Sequence, residues 1–138
     1  MKKLNLLLAF SLLTLLLGYT ARLSAQNTPV LYFCERYTSD GEVNISDRFY
    51  TGYLTVMVKS DYALGLKDVS LQFDKYNCRT GKFDYYKKFD FTVQPDMKYI
   101  YFERNSESDM RFDDTGIYRV FLLDNHGKTV TSGLIEII

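Results

Sequence analysis

The stretch that decides the fold is Asp113-Asp114-Thr115-Gly116-Ile117-Tyr118-Arg119-Val120. The glycine two residues before the tyrosine gives the backbone freedom for a sharp change of direction. The tyrosine can bury its ring while its hydroxyl satisfies a buried polar group. Side chains alternate across a strand, so Tyr118, Val120 and Leu122 would share one face. The stretch therefore predicts a sharp turn that leads into a strand whose core side begins with Tyr118.

The Asp-x-Gly-x-Tyr pattern at Asp114, Gly116 and Tyr118 resembles the stretch that opens strand F of immunoglobulin-like domains. This resemblance implies an all-β, antiparallel two-sheet sandwich of about seven strands, with a structural corner in which the tyrosine hydroxyl bonds back to upstream backbone. It covers eight residues and the hairpin that follows them. Val120 stands where antibody-type domains carry their second bridging cysteine, and tryptophan is absent. The chain is thus similar to a bacterial exported type without that bridge.

Alternation of side chains extends the strand prediction outward from the corner. In 83–93 the odd positions are apolar except Lys87, and the even positions are polar except Tyr86, which is typical of a half-buried strand. Seven short strands with turn sequences between them predict a two-sheet sandwich or a barrel, and the corner stretch favours the sandwich. The predicted strands are 30–37, 52–59, 67–76, 83–93, 98–103, 117–123 and 128–138.

The N-terminal segment predicts export. Two lysines precede an apolar run from Leu4 to Leu17, and a small residue, Ala25, stands at the predicted cleavage point, which together are the pattern of a secretory signal peptide. The run is shorter than the roughly 20 residues that span a bilayer as a helix. We therefore predict a signal peptide at 1–25, one β-sandwich domain at 26–138, no membrane span, and a periplasmic or extracellular location.

The charge balance of the processed chain argues against nucleic-acid binding. Removing Lys2, Lys3 and Arg22 leaves 14 basic residues (17 − 3) against 17 acidic ones, a net charge of −3 (14 − 17). A mildly acidic domain has no bulk attraction for nucleic acid or anionic lipid.

Two cysteines, Cys34 and Cys78, remain after the predicted cleavage. An even number in an exported protein favours a disulfide between them. The alternative is a pair of buried free thiols that act as small hydrophobic side chains. Two thiols and one distant histidine cannot supply the four ligands of a structural zinc site.

The residues that could carry catalysis are few. His126 is the only histidine, and it falls in a predicted hairpin turn, so a Ser/His/Asp triad has no support. Cys34 falls in a predicted strand, where nothing lowers the pKa of its thiol. We therefore predict a protein that is not an enzyme and that uses no cofactor.

An acidic stretch precedes the corner and leaves two interpretations open. Glu107, Asp109, Asp113 and Asp114 could form a solvated loop or supply oxygen ligands to structural calcium. The spacing does not match an EF-hand loop, because Arg111 stands at the third position. The solvated loop is favoured.

The outer side of strand 117–123 predicts an interface. If Tyr118, Val120 and Leu122 face the core, three apolar residues face outward, and two tyrosines fall on the outward phase of their own strands. Such a face often marks a contact surface, unless residues 26–29 or 43–50 cover it within the monomer. The predicted interface residues are Ile117, Phe121, Leu123, Tyr76 and Tyr86.

The sequence thus predicts an exported, non-enzymatic sandwich that acts through protein contacts, with a protein partner or as a homodimer. The alternative is a module that binds glycans through Tyr76 and Tyr86 or calcium through the acidic loop.

Overall fold

The computed structural model of the protein describes residues 28–104 and 109–138, so the predicted signal peptide at 1–25 lies outside the described residues. Every regular element within these ranges is a strand. The strands are β1 Val30–Thr38, β2 Gly41–Ser46, β3 Arg48–Phe49, β4 Gly52–Tyr53, β5 Thr55–Lys59, β6 Asp68–Asn77, β7 Lys82–Thr92, β8 Tyr99–Phe102, β9 Arg111–Phe112, β10 Gly116–Leu123 and β11 Thr129–Ile137.

The strands form two large sheets and one small one. Sheet 1 has the order β2-β1-β5-β8, and sheet 2 has the order β3-β11-β10-β6-β7. Strands β4 and β9 form a separate two-stranded ladder. Neighbouring strands are antiparallel except for β3 and β11, which are parallel.

This strand order is that of an immunoglobulin-like sandwich. In chain order, β6, β10 and β11 occupy the C, F and G positions, and β7 extends their sheet as strand C′ does in variable-type domains. Strands β1, β5 and β8 supply the A, B and E positions of the opposite sheet. The predicted fold class is therefore confirmed, and β10 is the F strand that the corner stretch indicated.

The core lies between the two sheets and comes from alternate residues of their strands. Strand β10 contributes Tyr118, Val120 and Leu122, all fully buried, as the alternation predicts. Burying apolar surface at about 25 cal/mol per Å² is the main force that holds two such layers together. The core residues of the other main strands include Leu31, Phe33, Val56, Val58, Val69, Leu71, Phe73, Ile100, Phe102, Ile135 and Ile137.

Each of the seven predicted strands corresponds to strand structure, with two differences. The predicted strand 52–59 is divided at Leu54 into β4 and β5, and three short strands, β2, β3 and β9, were not predicted. Within β2, residues 42–46 alternate polar and apolar side chains, so the sequence did carry a strand pattern there, and Asn44 interrupts the extended backbone with a φ of 54°, in the left-handed region.

Candidate functional site

The predicted corner is present at the start of β10. The hydroxyl of Tyr118 donates to the backbone carbonyl of Asp114 at 2.7 Å, and the Tyr118 ring packs edge-on against Phe112 at 5.0 Å. Gly116 has a φ of 143°, which a residue with a Cβ rarely adopts. Burial raises the pKa of the Tyr118 hydroxyl to about 12. A fully buried, protonated hydroxyl that bonds to backbone has a structural role.

A β-bulge in β7 changes which side chains of that strand face outward. Phe73 pairs with Lys87 and Asp74 pairs with Tyr85, so Tyr86 is the extra residue. Tyr86 packs against the buried ring of Tyr118 at 5.4 Å. The prediction that Tyr86 faces outward is therefore wrong, because the bulge shifts the phase of every residue before it.

The shift places aromatic side chains of β7 on the outer side of sheet 2. Tyr85 is 66% exposed and Phe83 is 36% exposed. On β10 and β11, Ile117 is 43% exposed and Leu134 is 57% exposed. We call this surface the contact face; its residues are Asp74, Tyr76, Phe83, Tyr85, Ile117, Arg119, Phe121 and Leu134.

The remaining predicted interface residues differ in their exposure. Tyr76 is half-buried on the contact face, where its ring lies 5.3 Å from that of Phe83. Phe121 is half-buried, and the guanidinium of Arg119 lies over its ring at 5.0 Å. Leu123 is only 8% exposed. It was predicted as an interface residue, and this is wrong, because its side chain is buried where the strand ends.

One row of residues crosses the contact face from β11 to β7. Leu134 pairs with Arg119, Arg119 pairs with Asp74, and Asp74 pairs with Tyr85. The row therefore reads apolar, positive, negative, apolar. Asp74 accepts a hydrogen bond from the side-chain amide of Gln72 at 2.9 Å. Within the described ranges, the ion pairs involve other residues and leave Arg119 without a carboxylate partner.

The predicted disulfide is not formed. Cys34 lies in β1 with no exposed surface, whereas Cys78 is exposed in the turn between β6 and β7. Cys34 lies in sheet 1, and Cys78 follows the last residue of β6 in sheet 2; both thiols are free. The alternative of two buried thiols is also wrong, because only Cys34 is buried; burial raises the pKa of its thiol.

Two of the acidic residues before the corner are paired with basic side chains, and Asp109 accepts a hydrogen bond from Lys87 through its backbone carbonyl. Asp113 forms an ion pair with Arg111 at 2.7 Å, and Asp114 forms one with Lys75 at 3.5 Å. Glu107 lies outside the described residues. Among the residues that are described, no group of three or more histidine, cysteine, aspartate or glutamate side chains is arranged to hold a metal ion.

His126 lies in the turn between β10 and β11. Its backbone N–H donates to a carboxylate oxygen of Asp124 at 2.9 Å, and its side chain is exposed. This environment orders the turn and does not orient the imidazole toward another reactive group.

A carboxylate held by two tyrosines lies beside sheet 1. Tyr32 donates to Glu42 Oε1 at 2.5 Å, and Tyr99 donates to the same oxygen. These two hydrogen bonds lower the pKa of Glu42 to about 2, and burial raises the pKa of Tyr99 to about 12. Tyr37 stacks on Tyr101 at 4.5 Å beside them. The cluster fixes the tip of the β1–β2 hairpin against β8.

Lys87 points toward the core side of sheet 2. Its ammonium donates to the backbone carbonyls of Asp109, at 3.2 Å, and Arg111. Four aromatic rings surround it at 5.0–5.8 Å. Burial lowers the pKa of this amine. Its hydrogen bonds go to backbone acceptors, so it holds the segment before the corner against β7.

The sequence analysis did not predict the Glu42–tyrosine cluster, the Lys87 site or the part of the contact face formed by Leu134. Lys87 carried a signal, since it is the one polar residue among the odd positions of 83–93. Leu134 could have been found by matching the phase of β11 to the outward phase of Arg119. Glu42 carried none, because its partners are distant in sequence.

The fold and these sites define an immunoglobulin-like β-sandwich with an exposed, partly apolar sheet face. No protein-family model and no curated protein sequence matches the chain. Similar solved structures include the soluble domain of PmoD from Methylocystis sp. ATCC 49242 (Rockwell), with 11% identity over 83% of this chain and 94% of that chain, at a TM-score of 0.46.

A second similar structure is an immunoglobulin-like protein, PA1606, from Pseudomonas aeruginosa. It has 9% identity over 83% of this chain and the whole of that chain, also at a TM-score of 0.46. The fold assignment rests on the strand order of this protein. The described residues include no helix long and apolar enough to cross a membrane.

Proposed function

We propose that the protein is an exported, non-enzymatic module that acts through protein contacts made by the contact face. The observation that carries this proposal is the exposure of four large apolar side chains on one side of one sheet: Tyr85, Leu134, Ile117 and Phe83. Exposed apolar side chains grouped in this way are typical of protein-interaction surfaces. The segment 43–50 reaches the edge of the face, where Arg48 forms an ion pair with Glu136 of β11 at 2.6 Å, and it leaves Ile117 43% and Leu134 57% exposed.

The charged residues of the face support the same function. Arg119 and Asp74 lie at its centre, between the apolar side chains of β11 and β7. Central charges give a contact specificity and orientation, while the surrounding apolar area contributes most of the affinity. A sheet face that served only for solubility would carry polar side chains at the exposed positions of Leu134 and Tyr85.

The environments of the reactive groups support a non-enzymatic role. The Tyr118 hydroxyl and the Lys87 ammonium are both bonded to backbone carbonyls, and the Glu42 carboxylate is held by two tyrosines. Each of these groups satisfies an internal partner. Catalytic groups, by contrast, are oriented toward a space that a substrate can enter.

Site-specific photo-cross-linking in the cells that export the protein tests the proposal. A photoreactive benzoyl-phenylalanine replaces Tyr85 on the contact face in one variant. It replaces Tyr62, which is 48% exposed in the β5–β6 loop, in the matched control. We expect a discrete protein adduct from position 85 that is lost when Leu134→Asp is added. Equal adducts from both positions, or none from position 85, would refute the proposal.

The same cells test the predicted export. The processed protein is expected to begin near Gln26, which N-terminal sequencing of the material outside the cytoplasm would show. Retention of the intact N-terminus in the cytoplasm would contradict this part of the proposal.

A further inference from the structure

The central row of the contact face is complementary to itself. From β11 to β7 it carries Leu134, Arg119, Asp74 and Tyr85, so reversing the row exchanges positive for negative and apolar for apolar. Binding to a different protein does not require a self-complementary row. A two-fold symmetric dimer requires it. If residue i of the first copy contacts residue j of the second, residue j of the first copy also contacts residue i of the second.

A specific two-fold axis produces the match. The axis runs parallel to the strands, midway between β10 and β6, in the plane between two facing sheets. Rotation about it places Arg119 of each copy opposite Asp74 of the other, and Leu134 opposite Tyr85. Each contact occurs twice, so the rotation forms two Arg119–Asp74 ion pairs and two Leu134–Tyr85 apolar pairs.

The neighbouring row obeys the same operation. Ile117 lies two residues before Arg119 on β10, and Tyr76 lies two residues after Asp74 on β6. Since β6 and β10 are antiparallel, these side chains share the next row, where Tyr76 pairs with Phe83 on β7. The rotation brings the exposed Ile117 of one copy onto the Tyr76 ring of the other. At the ends of the same row it sets Glu136, which pairs with Arg48 in its own chain, opposite Phe83.

The contacts of Arg119 within a single chain leave its charge available to Asp74 of a second copy. Its guanidinium lies over the Phe121 ring at 5.0 Å, and within the described residues no carboxylate is paired with it. Asp74 has a neutral partner, Gln72. Each charge of the pair is thus available to an opposite charge from outside the chain.

We propose that the contact face binds a second copy of this chain, through a two-fold axis that pairs Arg119 with Asp74 across the interface. This inference rests on the proposed function and names the partner of that same face. The Arg119–Asp74 pairs fix the orientation of the two copies, and the apolar pairs provide the buried area. Because the pairs are ionic, the dimer should weaken as the salt concentration rises.

A charge-exchange experiment tests the symmetry directly. In Asp74→Arg, two basic side chains meet across the axis, and in Arg119→Asp two acidic side chains meet. Each variant alone is expected to dimerise about tenfold or more weakly than the wild type, because like charges are opposed. An equimolar mixture restores opposite charges in both contacts, so it should form a one-to-one heterodimer.

Light scattering after size exclusion measures the masses, and native mass spectrometry of one isotope-labelled variant identifies the heterodimer. Far-UV circular dichroism confirms that each variant is folded. If Asp74→Arg fails to fold, Leu134→Asp replaces it as the single variant that must dissociate the wild-type dimer, since position 134 is exposed. The matched control is Tyr62→Asp, which should leave the mass unchanged.

The outcomes separate this inference from the proposed function. A wild-type dimer, monomeric single variants and a heterodimer on mixing support the second copy. A wild-type chain that stays monomeric at high protein concentration overturns the inference, as does a mixture that forms no heterodimer. If photo-cross-linking at position 85 still yields an adduct with a different protein, the contact function stands and only the partner is wrong.

Discussion

Replacing Tyr118 with phenylalanine isolates the hydrogen bond that closes the corner. The substitution keeps the ring and its edge-on contacts with Phe112 and Tyr86, and removes only the donor to Asp114, 2.7 Å away. A typical hydrogen bond contributes about 0.5–1.5 kcal/mol net, and a buried acceptor left unpaired costs about 1–3 kcal/mol. The acceptor residue Asp114 is exposed, so the cost of a buried unpaired acceptor does not apply to it in full. We expect a loss of about 0.5–1.5 kcal/mol, the net contribution of the bond.

Urea unfolding at neutral pH, followed by far-UV circular dichroism, measures this loss as a lower midpoint at an unchanged slope. Each kcal/mol should also lower Tm by roughly 4–8 °C in a domain of this size class. Tyr62→Phe is the control, since it removes the hydroxyl of a tyrosine that is 48% exposed in the β5–β6 loop, outside the contact face. If Tyr118→Phe falls within about 0.5 kcal/mol of the control, the range expected of surface changes, the corner does not stabilise the fold as argued.

Alkaline pH gives a second readout of the same group. The pKa of Tyr118 is about 12 in the folded protein, against 10.0 for an ordinary tyrosine. The folded state therefore favours the protonated hydroxyl, and its contribution is complete below pH 10 and is lost as the pH rises from 10 toward 12. Tyr118→Phe should remove this part of the alkaline destabilisation. An identical alkaline profile for the variant would show that the hydroxyl is not held as described.

Three further predictions follow from other sites. The Glu42 carboxylate has a pKa of about 2, against 4.5 normally, so it stabilises the fold above pH 4.5 and loses that effect as the pH falls toward 2. Glu42→Gln should therefore lower the urea midpoint at pH 7 and make the midpoint fall less steeply in acid. A Cβ on Gly133 would lie 3.0 Å from the Leu31 carbonyl oxygen, so Gly133→Ala should cost about 1–3 kcal/mol in thermal or urea unfolding. A thiol reagent should modify Cys78 alone in the native protein and Cys34 as well after denaturation, whereas modification of neither would indicate a bridge.

The sequence predicts most of the fold because two physical rules act locally. Side chains alternate along a half-buried strand, so the seven main strands can be found without tertiary information. The resemblance of the corner stretch to immunoglobulin-like domains then favours a sandwich over a barrel, and the structure forms that corner with Gly116 at a positive φ and Tyr118 bonded to backbone. Both rules depend on residues close in sequence.

The contacts that the sequence does not predict depend on residues far apart. Tyr99 reaches Glu42 across 57 positions, and no local pattern marks that pair. The disulfide prediction was wrong because an even number of cysteines does not indicate where each cysteine lies in the fold. Leu123 was misassigned because alternation gives the side of a strand and not the exposure of each side chain on it, and Leu123 is only 8% exposed.

The bulge at Tyr86 separates the inward-facing Lys87 from Phe83 and Tyr85, which face outward on the contact face. Regular alternation from Val93 backward through Lys87 would place Phe83 and Tyr85 inside and Tyr86 outside. Lys87 lies inside in either case, and burial lowers its pKa; the extra residue turns Phe83 and Tyr85 outward. Burying an amine is unfavourable, and backbone carbonyls with four aromatic rings offset part of that cost.

A strand optimised for stability alone would bury its aromatic residues and expose its lysine. Strand β7 does the opposite over its first half, and the residues that it turns outward are those that complete the row opposite Leu134. Bulges also bend and twist an edge strand, which discourages uncontrolled pairing along the unpaired edge of β7. The same irregularity thus blocks association at the edge of the sheet and provides the aromatic side chains for association at its face. Deleting Tyr86 would make the ladder regular and keep Tyr85 opposite Asp74 and Phe83 opposite Tyr76, so face-to-face association should survive in a folded variant, as light scattering after size exclusion would show.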